Sequence, residues 1–478
     1  MGSYKKITEL KSPEAFRDFV EESGWSIPCR AAGLKAFSEP LDYGTGKIGN
    51  RWAILPMEGW DCEGDGNPSA LTARRWERFA TSGAKLIYGT EAAAVMHEGR
   101  SNTRQLWIAP HTYDRIAWQL EAMREAHARR FGSADDFRVG LQLTHSGRYS
   151  HPNDDMRLES RIAYHHPLLD KKFGNTPKDL VSDDELRRII DCFIEAARLA
   201  ERAGFNFVDV KHAHGYLAHE LLSAVDRPGS FGGSFENRTH FFREVSDGIR
   251  SATSTLELSL RLSLADFIPF EKGSDGVGTP MRGPEESAYP YAFGGDGTGL
   301  GWNLEEPIAF LNLARKYGVK MICATLGSPY YCPHIQRPAY YPVSDGYAPP
   351  EDPLRSVARH IEITAALKKR CPELRIVGSG YTCLQEYLPL VGAGVLEAGM
   401  ADFIGIGRMV LSYPEICADT LEGAPLKTQC ICRTLGECTS APRAGMVSGC
   451  YPLDPYYRAK PEALKLRELK KERQEKES

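Results

Sequence analysis

One stretch of the chain concentrates groups that can donate protons and hydrogen bonds. Residues 204–222 read Gly-Phe-Asn-Phe-Val-Asp-Val-Lys-His-Ala-His-Gly-Tyr-Leu-Ala-His-Glu-Leu-Leu, and Arg227-Pro-Gly-Ser-Phe-Gly-Gly-Ser-Phe-Glu-Asn-Arg238 follows. A short apolar run thus ends in Lys211, His212, His214 and Tyr216, and a glycine-rich, Arg-bounded loop leads into a new helix. An ammonium, two imidazoles and a phenol just past a strand's carboxyl end are groups with which a barrel active site can bind and protonate a substrate. Side chains alternate along a strand, so Lys211 is expected to face inward and His212 to pack outside. Two later glycine-rich turns, Gly378-Ser379-Gly380 and Gly407-Arg408, offer backbone N–H groups and a guanidinium, the donors a phosphate requires. One such turn alone would be a tight βα connection; two at successive strands point to a ligand.

Short β-rich apolar runs alternate with helical patterns, the signature of parallel βα units. Candidate strands fall at 52–56, 85–88, 139–143, 205–210, 257–263, 320–324, 374–378 and 401–406. Eight parallel strands close a barrel, so the expected class is α/β, a (β/α)8 TIM barrel. Ser182 and Glu185 are placed as a capping box ahead of Leu186, Ile189, Ile190, Phe193 and Ala197, with Gly204 as the stop. Thr382 and Gln385 offer a second box after the seventh strand. Long loops are expected after the fifth and sixth strands. The first, 268–304, reads as a lid or a solvated excursion; the second, 328–353, holds Tyr330, Tyr331, Tyr340 and Tyr341 among several prolines. The expected division is a barrel over 1–425 and a Cys-containing extension with a charged, solvated or frayed tail over 426–478.

Apolar content of 42% with 26% charged residues is that of an ordinary globular chain, and a net charge of −4 gives no reason to expect nucleic acid as a partner. No apolar run approaches the ~20 residues of a membrane span. The start, Met1-Gly2-Ser3-Tyr4-Lys5-Lys6, shows no apolar leader. The expectation is a cytoplasmic protein that acts on a small molecule, without membrane or nucleic-acid partners and with homo-oligomerisation open. Twelve scattered cysteines do not make a disulfide scaffold, and Cys29, Cys62, Cys192, Cys323, Cys371 and Cys417 read as buried thiols.

The 204–238 segment resembles the signature of the Old Yellow Enzyme family of FMN-dependent oxidoreductases. Further motifs of that family follow in order from about Asn50 to Glu415. Asn50-Arg51 with Pro56-Met57 resembles its first strand, Leu86-Ile87-x-x-Thr90-Glu91-Ala92 its second, and Gln142-Leu143-x-His145-x-Gly147-Arg148 its third. Arg261-Leu262-Ser263 resembles the fifth, Gly378-Ser379-Gly380 the seventh, and Ala401-Asp402-x-x-Gly405-x-Gly407-Arg408 the eighth. The resemblance implies FMN held by Pro56, Met57, Glu58, Ala92, Gln142, Arg261, Gly378, Ser379, Gly380, Gly407 and Arg408. Gln142 supplies an amide for the pyrimidine edge, and Arg261 a cation that stabilises the reduced ring. It also implies Tyr216 as proton donor and His214, with Lys211, as the pair that holds a substrate carbonyl oxygen. Lys211 departs from the family at that position. Glu58 departs as well, where Thr, Ser or Cys is common: a carboxylate opposes negative charge on the ring unless Lys211 neutralises it or it turns away.

The activity so implied is reduction of an activated C=C bond, as in an α,β-unsaturated carbonyl compound, with NAD(P)H as electron donor. Hydride passes from the flavin to the β-carbon while Tyr216 protonates the α-carbon. Three alternatives stand beside it: a flavin dehydrogenase or demethylase that passes electrons to a partner, a flavin-free lyase or isomerase of a phosphorylated substrate with Lys211 as nucleophile, and a flavin-binding protein without turnover. Cys430, Cys432, Cys438 and Cys450 resemble the cluster ligands of a neighbouring branch, the dienoyl-CoA reductases and trimethylamine dehydrogenase, which follow Cys-x2-Cys-x3-Cys-x11-Cys. Here the spacing is Cys430-x-Cys432-x5-Cys438-x11-Cys450, so only the last interval agrees, and no bound metal is expected.

Purified protein is therefore expected to be yellow, to release FMN and not FAD on denaturation, and to retain flavin more weakly as Arg408→Ala. Elemental analysis after anaerobic purification should find no iron. A colourless protein that cannot be reconstituted with FMN contradicts the first expectation, and stoichiometric iron the second.

Overall fold

The computed structural model describes residues 4–30, 33–44, 46–281 and 288–477. Met1-Gly2-Ser3 and residues 282–287 of the first long loop lie outside the described residues. Two short strands, β1 (Leu41–Tyr43) and β2 (Gly46–Ile48), form an antiparallel hairpin. The barrel follows: β3 (Trp52–Ile54), β4 (Leu86–Ile87), β5 (Ala92–Ala94), β6 (Arg138–Thr144), β7 (Phe207–Val210) and β8 (Glu257–Ser263). After a second hairpin, β9 (Phe270–Lys272) and β10 (Gly278–Pro280), come β11 (Met321–Thr325), β12 (Arg375–Gly378) and β13 (Phe403–Ile406). Neighbours run β4-β3-β13-β12-β11-β8-β7-β6-β5, all parallel, and β4 also pairs with β6. Since β4 and β5 occupy one place in the ring, the sheet closes on eight positions, as a TIM barrel requires.

Closure gives every barrel strand two buried faces, which is why the strands read as continuous apolar runs. The inner face holds Ala53, Leu55, Leu86, Tyr88, Phe207, Met321, Cys323, Val377 and Phe403, and the β1–β2 hairpin adds Leu41, Tyr43 and Ile48 across the amino-terminal end. Tyr43 meets Phe207 edge-on at 6.3 Å, and the Tyr88 hydroxyl bonds Ser259 Oγ at 2.7 Å. The lower barrel is packed shut, so a ligand can enter only at the carboxyl ends of the strands.

On the outer face, helix Asp183–Ala203 buries Leu186, Ile189, Ile190, Phe193 and Ala197. Ser182 caps it by accepting Glu185 N–H at 3.1 Å, and Gly204 ends it in the left-handed region. The expected box is only half made, because the Glu185 carboxylate pairs with Arg161 at 2.8 Å instead of returning to the Ser182 N–H. The second expected box is corrected: Thr382 lies inside a 3-10 turn, Tyr381–Tyr387, that starts at Gly380 without a side-chain cap. Gln385 there has φ of +52° and accepts from Arg433, so it cannot serve as the third residue of a regular helix. Cys62, Cys323, Cys371 and Cys417 are buried as expected, whereas Cys29 and Cys192 are only half-buried.

The two long loops and the carboxyl-terminal extension fold over the open end. The β9–β10 hairpin belongs to the first loop, and a short helix, Pro333–Gln336, to the second. The extension ties back through Ser448 N–H to Gly59 O at 2.8 Å and encloses its own small core of Ala441, Met446, Tyr451, Tyr457, Ala463 and Leu466. The tail forms a helix, Pro461–Glu477, and Ala463 and Leu466 are the residues it contributes to that core.

Gly140 lies opposite Phe207 in the β6–β7 register, and a Cβ there would overlap the Phe207 ring. Gly140→Ala is expected to lower unfolding free energy by ~1–3 kcal/mol in urea denaturation, through overpacking. The double variant with Phe207→Leu should recover part of the loss; an additive, larger loss would show that the clash lies elsewhere.

Candidate active site

The open end of the barrel encloses a cavity of about 700 Å³. Strand period two sends alternate residues inward, and the last inward residues of neighbouring strands therefore meet here: Leu55, Ala92, Gln142, Lys211 and Arg261. Pro56, Met57, Glu58, His214, Tyr216, Ser379, Gly380, Gly407 and Arg408 line the same space. Of the residues expected to hold FMN or substrate, Gly378 alone does not; it sits at the end of β12, where a Cβ would collide with the Tyr381 hydroxyl. His212 turns outward. Its ring rests against Phe242 and Phe310 at 5.6 and 5.5 Å, and Nδ1 bonds Val210 O at 2.9 Å.

Beyond β7 the backbone passes through the left-handed region at His214 (φ +69°) and Gly215 (φ +78°). A non-glycine residue in that region must be held there. Ser263 Oγ accepts His214 N–H at 3.2 Å, and Ser328 Oγ donates to His214 O at 2.8 Å. The twist brings Tyr216 over the cavity, where its hydroxyl donates to Glu58 Oε1 at 3.3 Å and meets the Tyr330 hydroxyl at 3.2 Å. Tyr330 is itself stacked on Tyr149 at 3.8 Å. Glu58 thus faces the phenol, with Ser101 Oγ donating to its other oxygen at 2.9 Å.

Lys211 Nζ lies 3.5 Å from the centroid of the Tyr216 ring, a cation–π contact. Burial lowers the Lys211 pKa to about 8; Glu58 and Asp209 resist that fall and Arg261 adds to it. The Tyr216 phenol is pushed well above its ordinary value by burial and by the Glu58 carboxylate. Burial, Arg261 and Lys211 hold His214 well below its usual value, so the imidazole is neutral. Gln336 Nε2 donates to His214 Nε2 at 3.1 Å.

Beneath these groups Asp209 is fully buried. It accepts from Gln142 Nε2 and from Arg261 N–H, both at 2.5 Å. One amide hydrogen of Gln142 is thus engaged, and its carbonyl oxygen is left to the cavity. Burial raises the Asp209 pKa to about 6, opposed by the Gln142 bond, Arg261 and Lys211. Arg261 Nε is buried with no hydrogen-bond partner among the described residues. At the β12 and β13 ends, Ser379, Gly380 (φ +90°), Gly407 and Arg408 form a cradle of small residues with one guanidinium, and Arg408 Nη2 donates to Pro338 O at 2.8 Å. An amide acceptor, an unsatisfied guanidinium and an open backbone cradle in one cavity fit a planar heterocycle that ends in a phosphate.

Several contributors escaped the sequence reading. Asp209 had a signal, an acid inside an apolar strand. Arg75 did not: it bonds both Asp61 and Glu91, and Glu91 Oε1 accepts Gly59 N–H at 3.2 Å, which fixes the turn carrying Glu58. Tyr330, Gln336, Arg337 and Arg443 reach the cavity from long loops and the extension. Of the four clustered cysteines, Cys432 and Cys450 are raised chiefly by burial, with Cys438 near enough to add to both, whereas Cys430 acts on Tyr413. Among the described residues, no group of three or more His, Cys, Asp or Glu forms a metal-ligand set.

Residues 36–283 match the NADH:flavin oxidoreductase / NADH oxidase family. NADPH dehydrogenase of Geobacillus thermodenitrificans is 31% identical over 228 residues, 46% of this chain and 61% of the relative. The 12-oxophytodienoate reductase 1 of Oryza sativa subsp. japonica is 30% identical over 268 residues, 53% of this chain and 66% of the relative. The chain thus spans about two thirds or less of the length of these curated relatives. Among solved structures, the old yellow enzyme homologue of Zymomonas mobilis shares the fold with a TM-score of 0.54 and 19% identity, over 82% of this chain and 94% of the other.

Asp209→Asn puts an amide N–H where one of two donors, Gln142 Nε2 or the Arg261 N–H, now finds an acceptor. The variant is expected to lose ~1–3 kcal/mol of stability in chemical denaturation and to bind FMN more weakly by equilibrium dialysis. Unchanged affinity would show that Gln142 and Arg261 are positioned without Asp209.

Proposed function

The chain belongs to the NADH:flavin oxidoreductase / NADH oxidase family, and on that premise we propose that it is an FMN-dependent reductase of activated C=C bonds, with NAD(P)H as electron donor. The observation that carries the reading is the meeting of Lys211, His214 and Tyr216 in one cavity with Gln142, Arg261 and the Gly380–Arg408 cradle. The names of the relatives, an NADPH dehydrogenase and a 12-oxophytodienoate reductase, are in keeping with it. In this reading Pro56, Met57, Ala92, Gln142 and Arg261 hold the ring, Ser379, Gly380, Gly407 and Arg408 hold the phosphate, and Gly378 shapes the turn below them. Bound FMN supplies the hydride.

The remaining steps fall to side chains. Lys211 and neutral His214 donate to the carbonyl oxygen of an α,β-unsaturated substrate and stabilise it as negative charge accumulates. Tyr216 gives its proton to the α-carbon. The phenolate left behind is stabilised by the Lys211 ammonium on its ring and regains its proton from solvent once the product has left. A barrel over 1–425 with an extension over 426–478 belongs to the same proposal, and so does action in the cytoplasm, in keeping with twelve free cysteines. No helix among the described residues is long and apolar enough to cross a membrane. The substrate is a small molecule; nucleic acid and membrane are not proposed as partners, and a homo-oligomer is compatible with the reading.

The test separates the two half-reactions by anaerobic stopped flow. Lys211→Ala and Tyr216→Phe should each slow flavin reoxidation by cyclohexenone ~10²-fold, the loss expected for a charge-assisted donor or a proton source. Reduction by NADPH should change far less. Equal slowing of both halves would move these residues out of the oxidative step.

A pH profile gives a second check. Lys211 loses its proton as pH rises through about 8, so reoxidation of the unsubstituted enzyme should decline above that value. Lys211→Ala should lack this limb, and a decline that persists in the variant belongs to another group.

A further inference from the structure

We propose that the outer part of the cavity is a binding site for a carboxylate carried by the substrate, with Arg337 as its anchor and Arg443 beside it. This deepens the reductase reading and rests on it. Arg337 directly follows the helix Pro333–Gln336 and lines the cavity. Its Nη1 donates to Thr439 Oγ1 at 2.7 Å, but Nη2 is buried with no hydrogen-bond partner among the described residues. The charged groups that act on it most are two other cations, Arg443 and Arg408. Asp345, the nearby acid of the rim, is already paired with Arg443. A half-buried guanidinium among cations, with an unpartnered donor at the wall of the cavity it lines, is stabilised by an anion from outside the chain.

An anionic group could come from the flavin phosphate or from the substrate, and position favours the substrate. Arg337 and Arg443 both act on Tyr330, whose hydroxyl meets that of Tyr216 at 3.2 Å. Gln336, adjacent to Arg337, reaches His214 at 3.1 Å. The guanidinium therefore stands one residue away from a contact of the proposed carbonyl-binding group. The planar fork of an arginine suits a carboxylate, which can accept two parallel hydrogen bonds. The substrate class so defined is an α,β-unsaturated carbonyl compound with a carboxylate at the opposite end from the carbonyl.

The experiment titrates FMN-loaded protein with trans-acetylacrylate and with its methyl ester by calorimetry, for the unsubstituted protein, Arg337→Gln and Arg337→Lys, with FMN content measured in each. The unsubstituted protein should bind the acid at least ~10-fold more tightly than the ester, a charge-assisted bidentate contact. Arg337→Gln should erase the preference and Arg337→Lys should keep part of it, with FMN content equal in all three. Equal affinity for acid and ester in the unsubstituted protein, which needs no variant to fold, overturns the proposal. Loss of FMN from Arg337→Gln with the preference intact also overturns it, since the guanidinium would then serve the flavin phosphate. Failure of the NADPH-reduced protein to reduce either compound counts against the reductase reading, separately from the binding preference.

Discussion

Asp209 has no exposed surface, and much of the cavity depends on it. Its two oxygens accept from Gln142 on β6 and from the Arg261 N–H on β8, so one carboxylate on β7 links three neighbouring strands at their carboxyl ends. A buried carboxylate is tolerated only when such donors surround it, and here Lys211 and Arg261 supply positive charge as well. The consequence is directional. Gln142 is held with one amide hydrogen inward and its oxygen toward the cavity, and the Arg261 side chain lines the same cavity.

A second layer of charge sits above this one. Glu58, Lys211 and Tyr216 compensate one another: the ammonium lies on the phenol ring, and the phenol hydroxyl bonds the carboxylate. None of the three would be stable alone in a largely buried site, because each would be a polar group without a partner. Glu58 is held from below by the Arg75, Asp61 and Glu91 network, which grips the adjacent Gly59. Lys211 and Glu58, the two residues read from the sequence as departures from the resemblance, line the same cavity and both contact Tyr216. A carboxylate that would oppose charge on a reduced ring is thereby turned toward a proton donor and a cation.

The outer wall has a different origin. It comes from the loops after β8 and β11 and from the extension, which lower the cavity's symmetry and add cations to its rim. Barrel folds keep the strand ends constant and vary these loops, so the wall is where a substrate would be read.

The sequence by itself determined the barrel and its strand-end residues. Strand runs of the right length alternated with capped helices, and each inward residue followed from a period of two, which is a local property. The same parity placed Lys211 inward and His212 against Phe242 and Phe310. Tertiary structure alone decided what distant segments bring together. Glu58 meets Tyr216 across 158 positions, Arg337 meets Thr439 across 102, and the extension returns to Gly59. No local pattern encodes such contacts, because they depend on how long loops without a fixed period pack over the barrel mouth. The Thr382 box failed for the same reason: Arg433, far along the chain, takes the Gln385 side chain, and the backbone there leaves the helical region.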